Sequence, residues 1–438
     1  MKRWARRTLK GVGIAVGVLV VADVVAAFVT SAMLRAEVAR VRAVLGEISE
    51  EELKPRPLPD EENAAVPLLQ VSEMMDELAG RDDGTFEAIL NVCVPLDDET
   101  WAGSVRTAKN YFDQHPEVLA LLRDGVSRPG LSLPWEERSG TVFASGNIRS
   151  LIHLPTAMAR IALEEGDYRR AYDACALALR LGGVLEDSTD LIDALNRSSM
   201  LGVSIELLEQ VMNATTPTES QAAAIVAELD ADTLEPASVE AVRRQVRAGV
   251  ASWEDRVAGS GANELYVQWF IKGNRLRMAL GRLYLSPVCQ PTRNLDVLSE
   301  MRMAPELFEM ADKRWVDVGQ RLKEMEAALP PWAFQARTAL TCTRYPLQSR
   351  ARAIAGMRCA RAAVLLKRYK AEHGAYPDEL PAEMQLADPF SDGVLLYARE
   401  GEGFVVYSVS ANQVDDGGSD VHHTGTIFPE DLTFRCAN

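Results

Sequence analysis

The apolar positions of this chain change their spacing three times. Over residues 11–34 (GVGIAVGVLVVADVVAAFVTSAML) almost every residue is apolar, and about 20 such residues make a helix that spans a bilayer. Leu34, Val38, Val41, Leu45 and Ile48 then recur four and three residues apart. That is the seam of a coiled coil, which predicts a homodimer through these five positions, with Glu37 and Arg42 flanking it. The same short seam also describes one amphipathic helix lying on the rest of the chain. Pro55, Pro57 and Pro59 end helix there. From about Asp60 to Leu347 the pattern is rich in Ala and Leu and follows the helical period. It predicts helices over 64–78, 116–123, 189–212, 218–229, 238–250, 263–285 and 304–329. Thr218, following Pro217, has the chemistry of a helix cap, and Gly182-Gly183, Ser286-Pro287 and Pro330-Pro331 mark breaks.

Near the end the period changes again. Residues 349–373 predict a helix stopped by Gly374. Two runs of β-formers, 394–399 and 404–409, are joined by Glu400, Gly401, Glu402 and Gly403, which predicts a hairpin. The fold class is therefore mainly α: an N-terminal transmembrane helix, an irregular helical-hairpin body and a small C-terminal α+β module. The expected division is a cytoplasmic basic segment (1–10), a transmembrane signal anchor (11–34), a stalk helix with a Pro-rich linker (35–60), a helical body (61–347) and the α+β module (348–438).

Two stretches carry family resemblances. Residues 157–183 resemble one tetratricopeptide-type helical hairpin: Gly166, Asp167 and Tyr168 make the turn, Ala171 is the small packing residue, and Ala178, Leu179 and Leu181 continue the second helix. The usual Trp/Leu/Gly start is missing, Gly182 stands where a Pro is usual, and no second copy follows at a period of 34. In the tail, a helix is followed by Tyr376-Pro377 with Leu380, then Asp388-Pro389, a hairpin ending Tyr407-Ser408-Val409-Ser410, and Asp415-Asp416-Gly417-Gly418. This order resembles the C-terminal module of major type II secretion pseudopilins and covers about 70 of the 438 residues. There is no prepilin leader, and some 310 residues separate the apolar helix from the module, so the chain is not expected to polymerise as a pilus subunit. The whole chain looks like a membrane-anchored bacterial protein that carries such a tail behind a helical body.

Charge sharpens the location. The net charge is −16, yet Lys2, Arg3, Arg6, Arg7 and Lys10 crowd the first ten positions, leaving 42 basic against 63 acidic residues and a net −21 beyond them. So acidic a body repels nucleic acid and anionic lipid. By the positive-inside rule residues 1–10 are cytoplasmic and the body is extracytoplasmic, a single-pass protein of the bacterial inner membrane. A cleaved signal or a twin-arginine export signal are the other readings of the N-terminus, and both also export the body. Asp23, near the middle of the span, costs roughly 2.5–3.5 kcal/mol on insertion scales. It would be either a tolerated polar residue or a hydrogen-bonding partner for another span beside Gly13 and Gly17.

Candidate chemistry is sparse. The pseudopilin resemblance implies calcium in the loop after the hairpin, held by Asp415, Asp416 and Asp420 with Asn412 and Ser419 nearby, oxygen ligands of the kind a hard cation takes. The same residues also describe an ion-free acidic turn. The five histidines form no HExxH, and no nucleophile elbow, Walker loop or dinucleotide fingerprint is present. Carboxylate pairs such as Asp82-Asp83, Asp97-Asp98 and Glu164-Glu165 read as solvated faces. Six cysteines occur without a CxxC. Cys175, on an Ala-rich face, reads as a small buried apolar residue, whereas Cys342, Cys359 and Cys436 are expected to supply one bridge in an oxidising compartment. The expectation is a protein-interaction or assembly scaffold of the bacterial envelope, with no catalytic residue assigned. The alternative is an exported hydrolase with a carboxylate-based site in the helical body. A concave apolar groove favours the first, and a deep pocket gathering carboxylates with a basic partner favours the second.

Overall fold

The computed structural model describes residues 2–46, 52, 57–81, 83–94, 98–133, 147–186, 188, 190–258, 284, 286–419 and 430–437. The chain is mainly helical with one small antiparallel sheet, and it divides into two compact units, each discontinuous in sequence.

The first unit comprises Met1–Glu50, Val242–Ala311 and Gln320–Arg344. Its α1 (Lys2–Leu45) is one continuous helix, and Ile14–Leu45 is long and apolar enough to cross a membrane. The helix has two characters. Ile14, Leu19 and Phe28 are 69%, 68% and 71% exposed, whereas Leu34, Val38 and Val41 are buried where α1 packs on the helix Gln290–Met310. Asn294 of that helix, fully buried, places its Nδ2 2.9 Å from Thr30 Oγ1 and 2.9 Å from Ser31 Oγ. The first three seam positions are thus covered by the chain itself, Leu45 is half-buried, and Ile48 lies outside the described residues. The single helix expected over 304–329 is two, Gln290–Met310 and Trp315–Ala328. Pro305 lies inside the former. The helix expected over 263–285 falls outside the described residues except at Tyr284, which is helical.

The second unit comprises Glu51–Ala241, Asp312–Gly319 and Tyr345–Asn438. After α1 its helices are α2 (Ala65–Ala79), α3 (Thr85–Val92), α4 (Asp98–Gln114), α5 (Pro116–Ser127), α6 (His153–Glu164), α7 (Tyr168–Gly183), α8 (Leu191–Ala214) and α9 (Glu219–Glu228). α6 and α7 form a helical hairpin whose turn contains Gly166 at φ +70°, and the Asp167 carboxylate accepts the Arg170 N–H to cap α7. Thr218 caps α9 in a reciprocal box with Gln221. Helices α10 (Glu235–Ala251), α11 (Trp253–Ala258), α12 (Gln290–Met310), α13 (Trp315–Ala328) and α14 (Phe334–His373) follow in chain order. α14 starts well before the expected residue 349. Pro346 removes one hydrogen bond, but Ala336, Leu340, Thr343, Leu347, Ala351 and Ile354 continue one buried stripe through it, and tertiary burial overrides the proline's local cost.

β1 (Leu396–Glu400) and β2 (Gly403–Ser408) form the expected hairpin, and a third strand, β3 (Leu432–Cys436), extends the sheet in the order β1-β2-β3. The alternation of LTFRC is too short to stand out in the sequence, yet Phe434 and Cys436 are wholly buried beside Phe404 and Val406. Tyr376 stacks edge-on against Phe404 at 4.8 Å. Asp388, also buried, accepts the Ser408 hydroxyl at 2.7 Å, the Phe390 N–H at 2.9 Å and the Val409 N–H at 3.2 Å, tying the turn to the end of β2. β3 rests on α8, where Glu209 Oε1 accepts the Arg435 N–H at 3.0 Å. Asn213 donates to the Arg435 carbonyl at 3.0 Å and accepts the Ala437 N–H at 2.8 Å. No bridge forms at Cys342, Cys359 or Cys436, because all six cysteines are free thiols. Burial pushes the Cys436 thiol up to about 12 and that of Cys359 well above its usual value. These are packed apolar side chains rather than reactive ones.

Candidate functional site

The loop after β2 turns on two left-handed glycines, Gly417 (φ +73°) and Gly418 (φ +76°), as the Asp-Asp-Gly-Gly sequence anticipates. Asp415 Oδ1 accepts the Tyr407 hydroxyl at 3.1 Å and the Gly417 N–H at 3.0 Å, while Asp416 Oδ2 accepts the Asn412 amide at 2.7 Å. Asp420 lies outside the described residues. Among the described residues no three His, Cys, Asp or Glu side chains gather as metal ligands.

A different carboxylate organises this loop. Asp431, at the start of β3 and wholly buried, accepts the Asp416 N–H at 3.1 Å and the Gly418 N–H at 2.8 Å through Oδ2. Its Oδ1 is buried, with no hydrogen-bond partner among the described residues. Burial, reinforced by the Asp416 carboxylate and opposed by the backbone donors, raises its pKa above the usual carboxylate value. A raised folded pKa favours the protonated carboxyl. Asp431 therefore contributes most to stability below the unfolded-state value, and that contribution is lost as pH rises through the folded one. Asp431→Asn keeps an acceptor for the two N–H groups and is expected to flatten the fall in stability as pH rises above the usual carboxylate value. Urea unfolding at several pH values reads this, and an unchanged slope would rule it out.

Asp431 also lines a cavity of about 670 Å³ between α8, α14 and β3, lying wholly in the second unit. Glu206 and Glu209, one turn apart on α8, face it together with Arg352 of α14. Burial lowers the Arg352 pKa and the Glu206 carboxylate acts against that shift. Ser198, Ser199, Ser349 and Thr433 add hydroxyls, over apolar ground supplied by Ile205, Ala353 and Leu432. Two glycines keep the space open: a Cβ on Gly202 would meet nothing within 4 Å, and one on Gly356 would lie 3.1 Å from Ile205 Cδ1. Sequence reading did not single out this constellation. Its members stand far apart in the chain, and Glu206 and Glu209 alone are an ordinary helical pair. Among the described residues it is a pocket gathering carboxylates with a basic partner, not an apolar groove. The chain matches no protein-family model, no curated protein and no solved structure.

Proposed function

We propose that this chain is a single-pass membrane-anchored protein of the bacterial envelope, with its N-terminus in the cytoplasm and its helical units outside, serving protein interaction or assembly. The observation that carries this reading is the division of α1. Its apolar surface is bare around Ile14–Phe28, and the same helix is packed on α12 from Thr30 onward. An apolar surface of that length is stable in lipid and costly in water. The five basic residues ahead of it support the orientation. The tetratricopeptide-like character of α6–α7 and the pseudopilin-like character of the tail belong to the same proposal, supported by the hairpin turn at Gly166–Asp167 and by the order of elements from Tyr376 to Asp416. The hydrolase reading keeps one specific support, the carboxylates and arginine of the cavity. Membrane fractions washed at alkaline pH should retain the full chain, and a periplasm-dependent reporter fused after residue 60 should be active. Release by the wash, or activity only from a cytoplasm-dependent reporter, would sink the proposal.

A further inference from the structure

We propose that the first unit makes a second lipid contact beside its membrane span: the end at which α12 and α14 begin, carrying Val288, Trp332 and Phe334, rests in the extracytoplasmic leaflet. The inference rests on the membrane-span reading of α1. Counted from Lys10, the roughly 20 residues that cross about 30 Å of hydrocarbon end near Thr30. At that level the Asn294 amide of α12 donates to the Ala27 carbonyl at 3.3 Å and to the Thr30 and Ser31 hydroxyls at 2.9 Å. Only four residues of α12 precede Asn294 and sixteen follow it, while the buried positions of α1 continue past Thr30 at Leu34, Val38 and Val41. α12 covers those turns only by running parallel to α1. The chain just ahead of Asn294 therefore lies on the lipid side of Thr30.

That chain is apolar and open. Val288, in the single 3-10 turn Pro287–Cys289 ahead of α12, is 68% exposed. Asp296 accepts the Gln335 and Ala336 N–H groups, and Phe334 packs edge-on against Tyr284 at 5.4 Å. The start of α14 thus sits at the same end, with Trp332 and Phe334 37% and 42% exposed. Residues 284–292 and 329–336 contain no Asp, Glu, Lys or Arg, although a quarter of the chain is charged. Arg293, next in sequence, is buried and directs its guanidinium to the carbonyls of Val257, Tyr284 and Ser286, so it turns no charge outward. An uncharged end with open aromatic and branched side chains, continuous with a bare apolar helix, suits the headgroup–acyl boundary, where such groups lie about 5–10 Å deep.

The test is photo-cross-linking of the full chain in phosphatidylcholine vesicles, with p-benzoylphenylalanine placed in turn at Val288, Phe334, Leu19 and Val44. Leu19 reads the span itself. Val44, 61% exposed on α1 and about 21 Å beyond Thr30 along the helix, reads the same unit away from lipid. Phospholipid adducts are expected at Leu19, Val288 and Phe334 but not at Val44, with melting temperatures close to the parent's. Adduct at Leu19 with none at Val288 or Phe334 would overturn this inference and leave the span standing. No adduct at Leu19 would remove the span and this inference with it. A cross-linked dimer in place of lipid at Val288 and Phe334 would assign this end to a second copy, and labelling at Val44 as strong as at Val288 would deny it a distinct lipid contact; either result overturns the proposal.

Discussion

Asp296→Ala is expected to lower the stability of the first unit by about 3 kcal/mol or more, because several donors would lose their acceptor at once. Asp296 is wholly buried on α12, and it does for α14 what a local cap residue does for most helices. Its carboxylate accepts the Gln335 N–H at 2.9 Å and the Ala336 N–H at 3.0 Å, both in the first turn of α14, and the Tyr284 hydroxyl at 2.7 Å. The unbonded N–H groups of a helix start carry partial positive charge, so a carboxylate there is held by both hydrogen bonds and the helix dipole. Alanine removes the acceptor and leaves those donors in a site that water does not reach. Asp296→Asn should be milder, since it keeps one oxygen but turns an amide toward donors. Denaturant unfolding of the full chain should show a lower midpoint with an unchanged slope. A shift under about 0.5 kcal/mol would mean that this contact does not hold the helix start.

The second large effect is expected at Gly403, where β2 begins. A Cβ there would overlap the carbonyl oxygen of Cys436 and lie 2.8 Å from the carbonyl carbon of Ala437, both main-chain atoms of the neighbouring strand segment. A side chain could rotate aside, but a paired strand must shift or lose its register. Gly403→Ala should therefore cost about 3 kcal/mol, at the upper end of overpacking penalties. Hydrogen exchange of the β2 and β3 amides would report it directly, through faster exchange at Val405 and Phe434 than in the parent. Gly401→Ala makes a useful contrast: its strain comes from a positive φ of 60°, with nothing within 4 Å of the new Cβ, so it should cost less. Equal exchange in Gly403→Ala and the parent would contradict this close approach.

What could be read from the sequence was periodic and local. The helices at Ala65–Ala79, Pro116–Ser127, Leu191–Ala214 and Glu219–Glu228 and the β1–β2 hairpin all announce themselves by apolar spacing and punctuation. Thr218 could be recognised as a cap because its partners are its own neighbours. Asp296 could not, because the donors it serves belong to another helix. Pro305 and Pro346 lie inside helices for a related reason: local preference says stop, while the buried stripe running through each says continue, and packing wins. The spacing of Leu34, Val38 and Val41 correctly marked a face that is covered, but a period carries no record of what covers it. The acidic loop drew attention to Asp415 and Asp416. Asp431, whose carboxylate receives that loop's amides, is one acid among many in so acidic a chain, and only burial sets it apart.

The way α8 meets β3 has a consequence for how the protein behaves in a crowded compartment. A strand at the margin of a sheet offers a row of free main-chain donors and acceptors, a template on which another chain can add itself. Here the side chains of Glu209 and Asn213 occupy the outward N–H and carbonyl of Arg435 and the N–H of Ala437. They stand where a fourth strand would bond, so the sheet is closed to growth on that side without a proline, a bulge or a lysine fence. Substitutions at Glu209 or Asn213 would then show themselves less as lost stability than as a tendency of separate molecules to join through their sheets.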